Sequence, residues 1–165
     1  MMIAVWHHGV MARSTNTQFA VAVHVLVYLA SAGADRPISS DELSASTNVN
    51  PVYVRRVLGP LREAGLVTSR PGAHGGWELA ADPRHITLAR VWRLLQGDDP
   101  VLGLHGPAPE CPVGRTIQVS LTAIDRGVAA AVEAQLAGIT VLDIVREGLA
   151  ADVAAEAVVR GASAG

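Results

Sequence analysis

The hydrophobic positions of this chain change period several times, and each change marks an element. Phe19 to Ala34 is uncharged and almost wholly apolar. That predicts a buried helix, with Asn16 or Thr17 as its cap and Gly33 as its end. From Ile38 to Leu79 the order is helix, turn, helix, glycine-tipped hairpin. Ser39-Ser40-Asp41-Glu42 has capping-box spacing, a hydroxyl at the N-cap and a carboxylate three residues on, and opens a short helix carrying Leu43. Thr47-Asn48-Val49 makes a turn. Asn50-Pro51 then starts a second helix, running to Ala64. Val54, Val57, Leu58 and Leu61 fall on one side of it, and Tyr53, Arg55, Arg56 and Arg62 largely on others. Gly65 supplies a left-handed stop. Leu66 to Ser69 and Trp77 to Leu79 predict two short strands. The loop between them, Arg70-Pro71-Gly72-Ala73-His74-Gly75-Gly76, is too glycine-rich for a helix.

The second half is more regular. Thr87 caps a helix with Val91, Leu94 and Leu95 apolar, and Gly97 stops it. Residues 98–112 form a Gly- and Pro-rich loop carrying His105, Glu110 and Cys111. A long helix follows, from about Val113 to Leu136. Its apolar positions Ile117, Leu121, Ile124, Val128 and Ala131, then Gln135 or Leu136, keep heptad spacing. Such a helix spans about 36 Å, more than a small domain needs. Its stripe calls for a partner, and the same helix of a second copy is the simplest, giving a two-fold homodimer. Packing within one chain is the alternative. Thr140-Val141-Leu142-Asp143 is another capping box and starts a last helix.

The expected fold class is therefore mainly α with a small β wing, a winged helix-turn-helix plus a long dimerisation helix. Residues 1–12 are an N-terminal extension, 13–97 the DNA-binding domain and 98–112 an effector or sensor loop. Residues 113–158 hold the dimerisation and C-terminal helices, and 159–165 a tail.

Half of the 165 residues are apolar, enough for a core without staples. All 13 basic residues are arginine, and the formal charge is −2. That total conceals an asymmetry. Asn50 to Arg93 holds seven Arg against Glu63, Glu78 and Asp82, a balance of +4; from Asp98 onward four Arg face nine acids, a balance of −5. A basic segment beside an acidic one fits a regulator with a DNA-facing half and a partner- or ligand-facing half.

A helix apolar behind and arginine-rich in front, following a tight turn, suits the major groove of duplex DNA. A glycine-tipped hairpin directly after it is a wing. Its backbone can approach phosphate closely, with Arg70 or His74 reaching the DNA backbone or minor groove. The candidate DNA-binding residues are Ser39, Ser40, Asn50, Pro51, Val52, Tyr53, Arg55, Arg56, Arg70, His74 and Gly75.

Phe19 to Ala34, with Arg13 before it and Ala30-Ser31-Ala32 within it, also resembles a signal peptide with a small-residue cleavage site. It is short for a membrane span of about 20 residues. The backing-helix reading is preferred: without that helix the helix-turn-helix lacks a back, and His24 interrupts the apolar run. Met11 is an alternative start, which would leave Trp6, His7 and His8 outside the natural protein. The expectation is a cytoplasmic protein with no membrane partner.

Taken together these residues carry a family resemblance over about Thr17 to Leu149. It rests on Thr17 to Ala22, the Asn50-to-Gly65 helix with Leu66-Val67, Gly75-Gly76-Trp77-Glu78-Leu79-Ala80 and Ile86-Thr87-Leu88. Most specific are Glu110-Cys111-Pro112-Val113-Gly114 with Ile117-Gln118, and Ile139 to Asp143. The chain resembles the Rrf2 family of bacterial transcription regulators, and within it the YwnA-type, cluster-free group. The resemblance implies a winged-helix dimer, joined through the long helix, that binds an imperfect palindrome near promoters, most often as a repressor. Trp77 stands where the family more often has Tyr or Phe.

One departure bears on the cofactor. Cluster-binding relatives carry three cysteines in the loop before the long helix, and here Cys111 is the only cysteine of the chain. Iron–sulfur clusters are held mainly by Cys thiolates, so no cofactor is expected. An atypical cluster site using Cys111 with His105, Glu110 or the partner's Gln18 is the rival. Cys111 sits at a helix start with Arg115 one turn on, which favours a thiolate. Cys111, His105 and Arg115 are thus the sensor candidates for an oxidant, electrophile or small-molecule effector. A structural, buried cysteine is the plainer alternative. His7, His8, His74 and His85 lack metal spacing, so no zinc site is assigned. No phosphate loop, dinucleotide fingerprint or nucleophile triad is present, so no enzyme is expected. A winged-helix module for protein interaction without DNA binding remains the other reading.

Overall fold

The computed structural model describes residues 15–32 and 36–150. The expected N-terminal extension, the Gly33 helix end and the tail lie outside the described residues. Among the described residues six α-helices and two strands follow in order: α1 Thr15–Ala32, α2 Ser40–Thr47, α3 Pro51–Glu63, β1 Val67–Arg70, β2 Gly76–Leu79, α4 Leu88–Gln96, α5 Pro112–Ala137, and α6 over residues 141–150. A single 3-10 turn, Pro83–His85, leads into α4.

The core forms where α1, α2, α3 and α4 meet the base of the wing. Ala22, Val25 and Leu26 of α1, Leu43 of α2, Val54, Leu58 and Leu61 of α3 and Val91 of α4 are fully buried there. Each of these valines and leucines contributes about 1.5–3 kcal/mol by leaving water. α1 therefore backs the helix-turn-helix. It already runs at Thr15, so Asn16 and Thr17 lie inside its first turn rather than capping it. His24 bonds Ser46 Oγ at 2.9 Å, which ties α1 to α2. Among the described residues no helix is long and apolar enough to cross a membrane.

The caps are local chemistry, and they form. Asn50 Oδ1 accepts from Tyr53 N at 2.8 Å, with Pro51 at the first helical position. Thr87 Oγ1 accepts from Arg90 N at 3.2 Å. Thr140 and Asp143 make a reciprocal box, 2.9 Å from Thr140 N to Asp143 Oδ2 and 3.2 Å from Asp143 N to Thr140 Oγ1. Ser39 forms half of its box: it caps Glu42 N at 3.1 Å, but the Glu42 carboxylate goes elsewhere. It accepts from Tyr28 OH and from both ends of the Arg36 guanidinium, each at 2.9 Å. Two charge-assisted bonds outweigh one to a backbone N–H.

The wing has a third strand position. β1 and β2 pair antiparallel, Val67 opposite Leu79 and Arg70 opposite Gly76. Ile38 adds a bridge to the outer side of β2, with Ile38 N to Trp77 O at 2.9 Å and Trp77 N to Ile38 O at 2.8 Å. Gly76 is needed there. A Cβ on it would stand 2.5 Å from the Ile38 carbonyl oxygen and 2.7 Å from its carbon. Neither is a side chain that can swing away. Gly76→Ala should therefore open the wing base and destabilise the domain by about 1–3 kcal/mol. A lowered melting temperature with weakened DNA binding checks it; an unchanged melt contradicts it.

The C-terminal segment is not a separate unit. Leu88 N bonds Ile139 O at 2.8 Å and Val141 N bonds Ile86 O at 3.0 Å. Val141 is fully buried in the winged-domain core. α5 packs against α4, with Arg93 Nε donating to Glu133 Oε2 at 3.1 Å, and the chain after it returns to the start of α4.

Candidate nucleic-acid interface

The turn into α3 sets the site. Asn48 ends α2 in the left-handed region (φ 52°), the Asn50 cap and Pro51 begin α3, and Gly65 ends the turn after it at φ 71°. Between these points α3 buries Val54, Val57, Leu58 and Leu61. It leaves Val52, Arg55, Arg56 and Arg62 exposed. Pro60 sits inside the helix. It has no N–H to offer the Arg56 carbonyl, a penalty that tertiary packing offsets.

Tyr53 corrects the sequence reading. Expected on the polar face, it is 8% exposed and belongs to the core cluster. An aromatic body with a polar tip sits at the edge of an amphipathic helix, and here packing takes it inward.

The wing and α3 face one another across an open cleft of about 520 Å³, lined among others by Ser39, Ser40, Arg55, Arg62, Arg70 and Gly75. Arg62, which is not among the sequence-based contact candidates, lies two turns after Arg55 on the same strip of helix, and that spacing is the signal the sequence offers for it. Arg56 lies on the other flank of the exposed face. Ser40 Oγ accepts from Trp77 Nε1 at 3.0 Å, which fixes the start of α2 to the wing base. Arg70 bridges to Glu78 at 2.8 Å. It is two-thirds exposed, so a phosphate can replace that carboxylate. His74 stands at the wing tip beside a second cleft of about 420 Å³, with Arg36, Pro37, Ser39, Glu42 and Gly75. Hydrogen bonds from Arg36 hold the Glu42 carboxyl below the usual carboxylate range. Of the two acids in the first turn of α2, Asp41 and Glu42, Glu42 is thereby paired.

The loop before α5 folds onto that helix. Cys111 is the N-cap, its Sγ accepting from Gly114 N at 3.3 Å. Pro107 packs on Gly114, where a Cβ would be 2.7 Å from the proline Cβ. Arg115 donates to Pro109 O at 2.8 Å, and Leu102 N to Asp125 Oδ1 at 2.8 Å. The structure thus separates the sensor candidates. Arg115 is engaged by the loop backbone, and His105 is exposed and outside this network. Cys111 is free and exposed, which corrects the alternative of a buried structural cysteine. Along α5, Ile117 and Ile124 are exposed and Leu121 and Val128 half-buried.

There is one cysteine in the chain, and among the described residues no three His, Cys, Asp or Glu side chains converge.

Comparison with known proteins agrees with the fold. The Rrf2 family, described as iron-dependent transcriptional regulators, matches residues 15–147. The chain is 37% identical over 130 residues to the HTH-type transcriptional regulator YwnA of Bacillus subtilis, covering 78% of this chain and 95% of that one. It is similar in structure to CymR, the global cysteine regulator of B. subtilis. There the TM-score is 0.57 at 27% identity, covering 79% of this chain and 95% of that one. It is also similar to a transcriptional regulator from Lactobacillus plantarum, with a TM-score of 0.65 at 28% identity, covering 77% and 86%. The relatives are regulators, not enzymes. An exposed arginine helix beside a wing, on a fold shared with these proteins, leads to one assignment: the chain belongs to the Rrf2 family of winged-helix, DNA-binding transcription regulators.

Proposed function

We propose that the protein is a homodimeric, cluster-free repressor of the cytoplasm. Its two α3 helices enter successive major grooves of an imperfect palindrome, and the loop of residues 98–111 receives a redox, electrophile or small-molecule signal. The observation that carries this reading is the exposed Val52–Arg55–Arg56 face of α3 beside the wing cleft. The dimer is supported by the Ile117–Leu121–Ile124–Val128 stripe, and the repressor sense by the resemblance to the family. Cys111 supports the signal. An adduct on its sulfur crowds the bond from Gly114 N and the loop that Pro107 and Arg115 hold to the root of α5.

Salt-dependent binding to a selected duplex separates this reading from a protein-interaction module, because counterion release makes DNA affinity fall steeply with salt. For the signal, anaerobically purified protein should hold no stoichiometric iron, and mild oxidant should change operator affinity. A tenfold change needs about 1.4 kcal/mol between the competent and incompetent dimers. Cys111→Ser should bind DNA and ignore the oxidant. A serine variant that responds like the parent, or a cluster in the anaerobic protein, contradicts this signal.

A further inference from the structure

α3 carries one apolar side chain out of place. Tyr53, Val54, Val57, Leu58 and Leu61 are buried, yet Val52, in the first turn, is 67% exposed. At 100° per residue, Arg55 lies about 60° to one side of Val52 and Arg56 about 40° to the other. Gly59, about 20° away and two turns on, adds no side chain, and nothing lies within 4 Å of where its Cβ would be. The face is one isopropyl group between two guanidinium arms, with bare backbone behind it. Asn50 and Pro51 are committed to starting the helix, so Val52 is the first side chain of α3 free to meet a base.

The N-terminal residues of a recognition helix are those that reach base edges. Nearly every group on the major-groove edge of a base pair is a donor or acceptor, which valine would strip of water without replacing it. The thymine 5-methyl is the apolar exception. Valine suits it also because branching at Cβ stiffens χ1, so little side-chain freedom is lost on contact.

We propose that Val52 reads a thymine methyl in each operator half-site, beside the base pair met by Arg55 or Arg56. This rests on α3 being the DNA-reading helix and adds the identity of one base.

The test uses an operator selected from random duplexes, with each thymine replaced in turn by deoxyuridine, which lacks only the 5-methyl group. One symmetric pair of positions should respond. Losing one buried methyl contact should weaken binding about fourfold per half-site, and about fifteenfold when both are replaced. The exposed Val52→Ala variant, which keeps only the Cβ methyl, should fold normally and lose most of the difference between thymine and deoxyuridine operators. Parent protein indifferent to deoxyuridine at every position overturns the proposal, as does a Val52→Ala variant that keeps the full penalty. Parent protein that binds operator DNA but fails only the deoxyuridine test leaves the DNA-binding reading standing. Parent protein that binds no selected duplex overturns both.

Discussion

Leu121→Glu is expected to leave the protein monomeric or aggregated and unable to hold a palindromic duplex. Leu121 stands mid-stripe between Ile117 and Ile124, which are 42% and 54% exposed in the single chain. In a two-fold seam position 121 lies near its own copy, so each glutamate meets a like charge as both leave water. Uncompensated burial of charge costs several kcal/mol, enough to dissociate a dimer of ordinary affinity. The winged domain should survive, because its core lies around α1, α3 and α4. Sedimentation velocity and duplex titration check this together. A dimeric variant with parental affinity contradicts the seam; a parent monomeric at micromolar concentration removes its basis.

Replacing Arg55 and Arg56 together with alanine should abolish operator selectivity while leaving the melting temperature within a degree or two of the parent. Both are exposed, and exposed substitutions without partners usually change stability by less than about 0.5 kcal/mol. An arginine bidentate to guanine contributes about 1–3 kcal/mol of discrimination, whereas one on phosphate weakens all sequences alike and lowers the salt slope by about one. The single variants tell these roles apart. Parental affinity in the double variant means that this face does not read DNA.

What the sequence made legible is what neighbouring residues decide. Asn50-Pro51, Thr87 and the Thr140–Asp143 box each bond within three positions, so spacing alone locates their helices. The recognition helix and the wing followed from period and glycine for the same reason. Glu42 escaped because its partners, Tyr28 and Arg36, come from another helix and a connecting segment. Tyr53 sits on the flank of the α3 wheel, where tertiary packing rather than period decides burial. The Ile38–Trp77 bridge and the Ile86–Val141 tie join segments far apart in sequence, and no local pattern announces them. At the interface, Arg55 and Arg56 were readable from the helix alone. Arg62 shares the helical strip of Arg55, but its place in the wing cleft, like the Arg70–Glu78 pair, required the wing and its strand register.

Selection from a pool of random duplexes tests the central claim most directly, that paired α3 helices read DNA. The account predicts enrichment of an imperfect palindrome, its half-sites centred about 34–36 Å apart or a multiple of that distance, as two recognition helices on one face of B-DNA require. A pool that yields no enriched sequence, or only a single asymmetric motif, contradicts it.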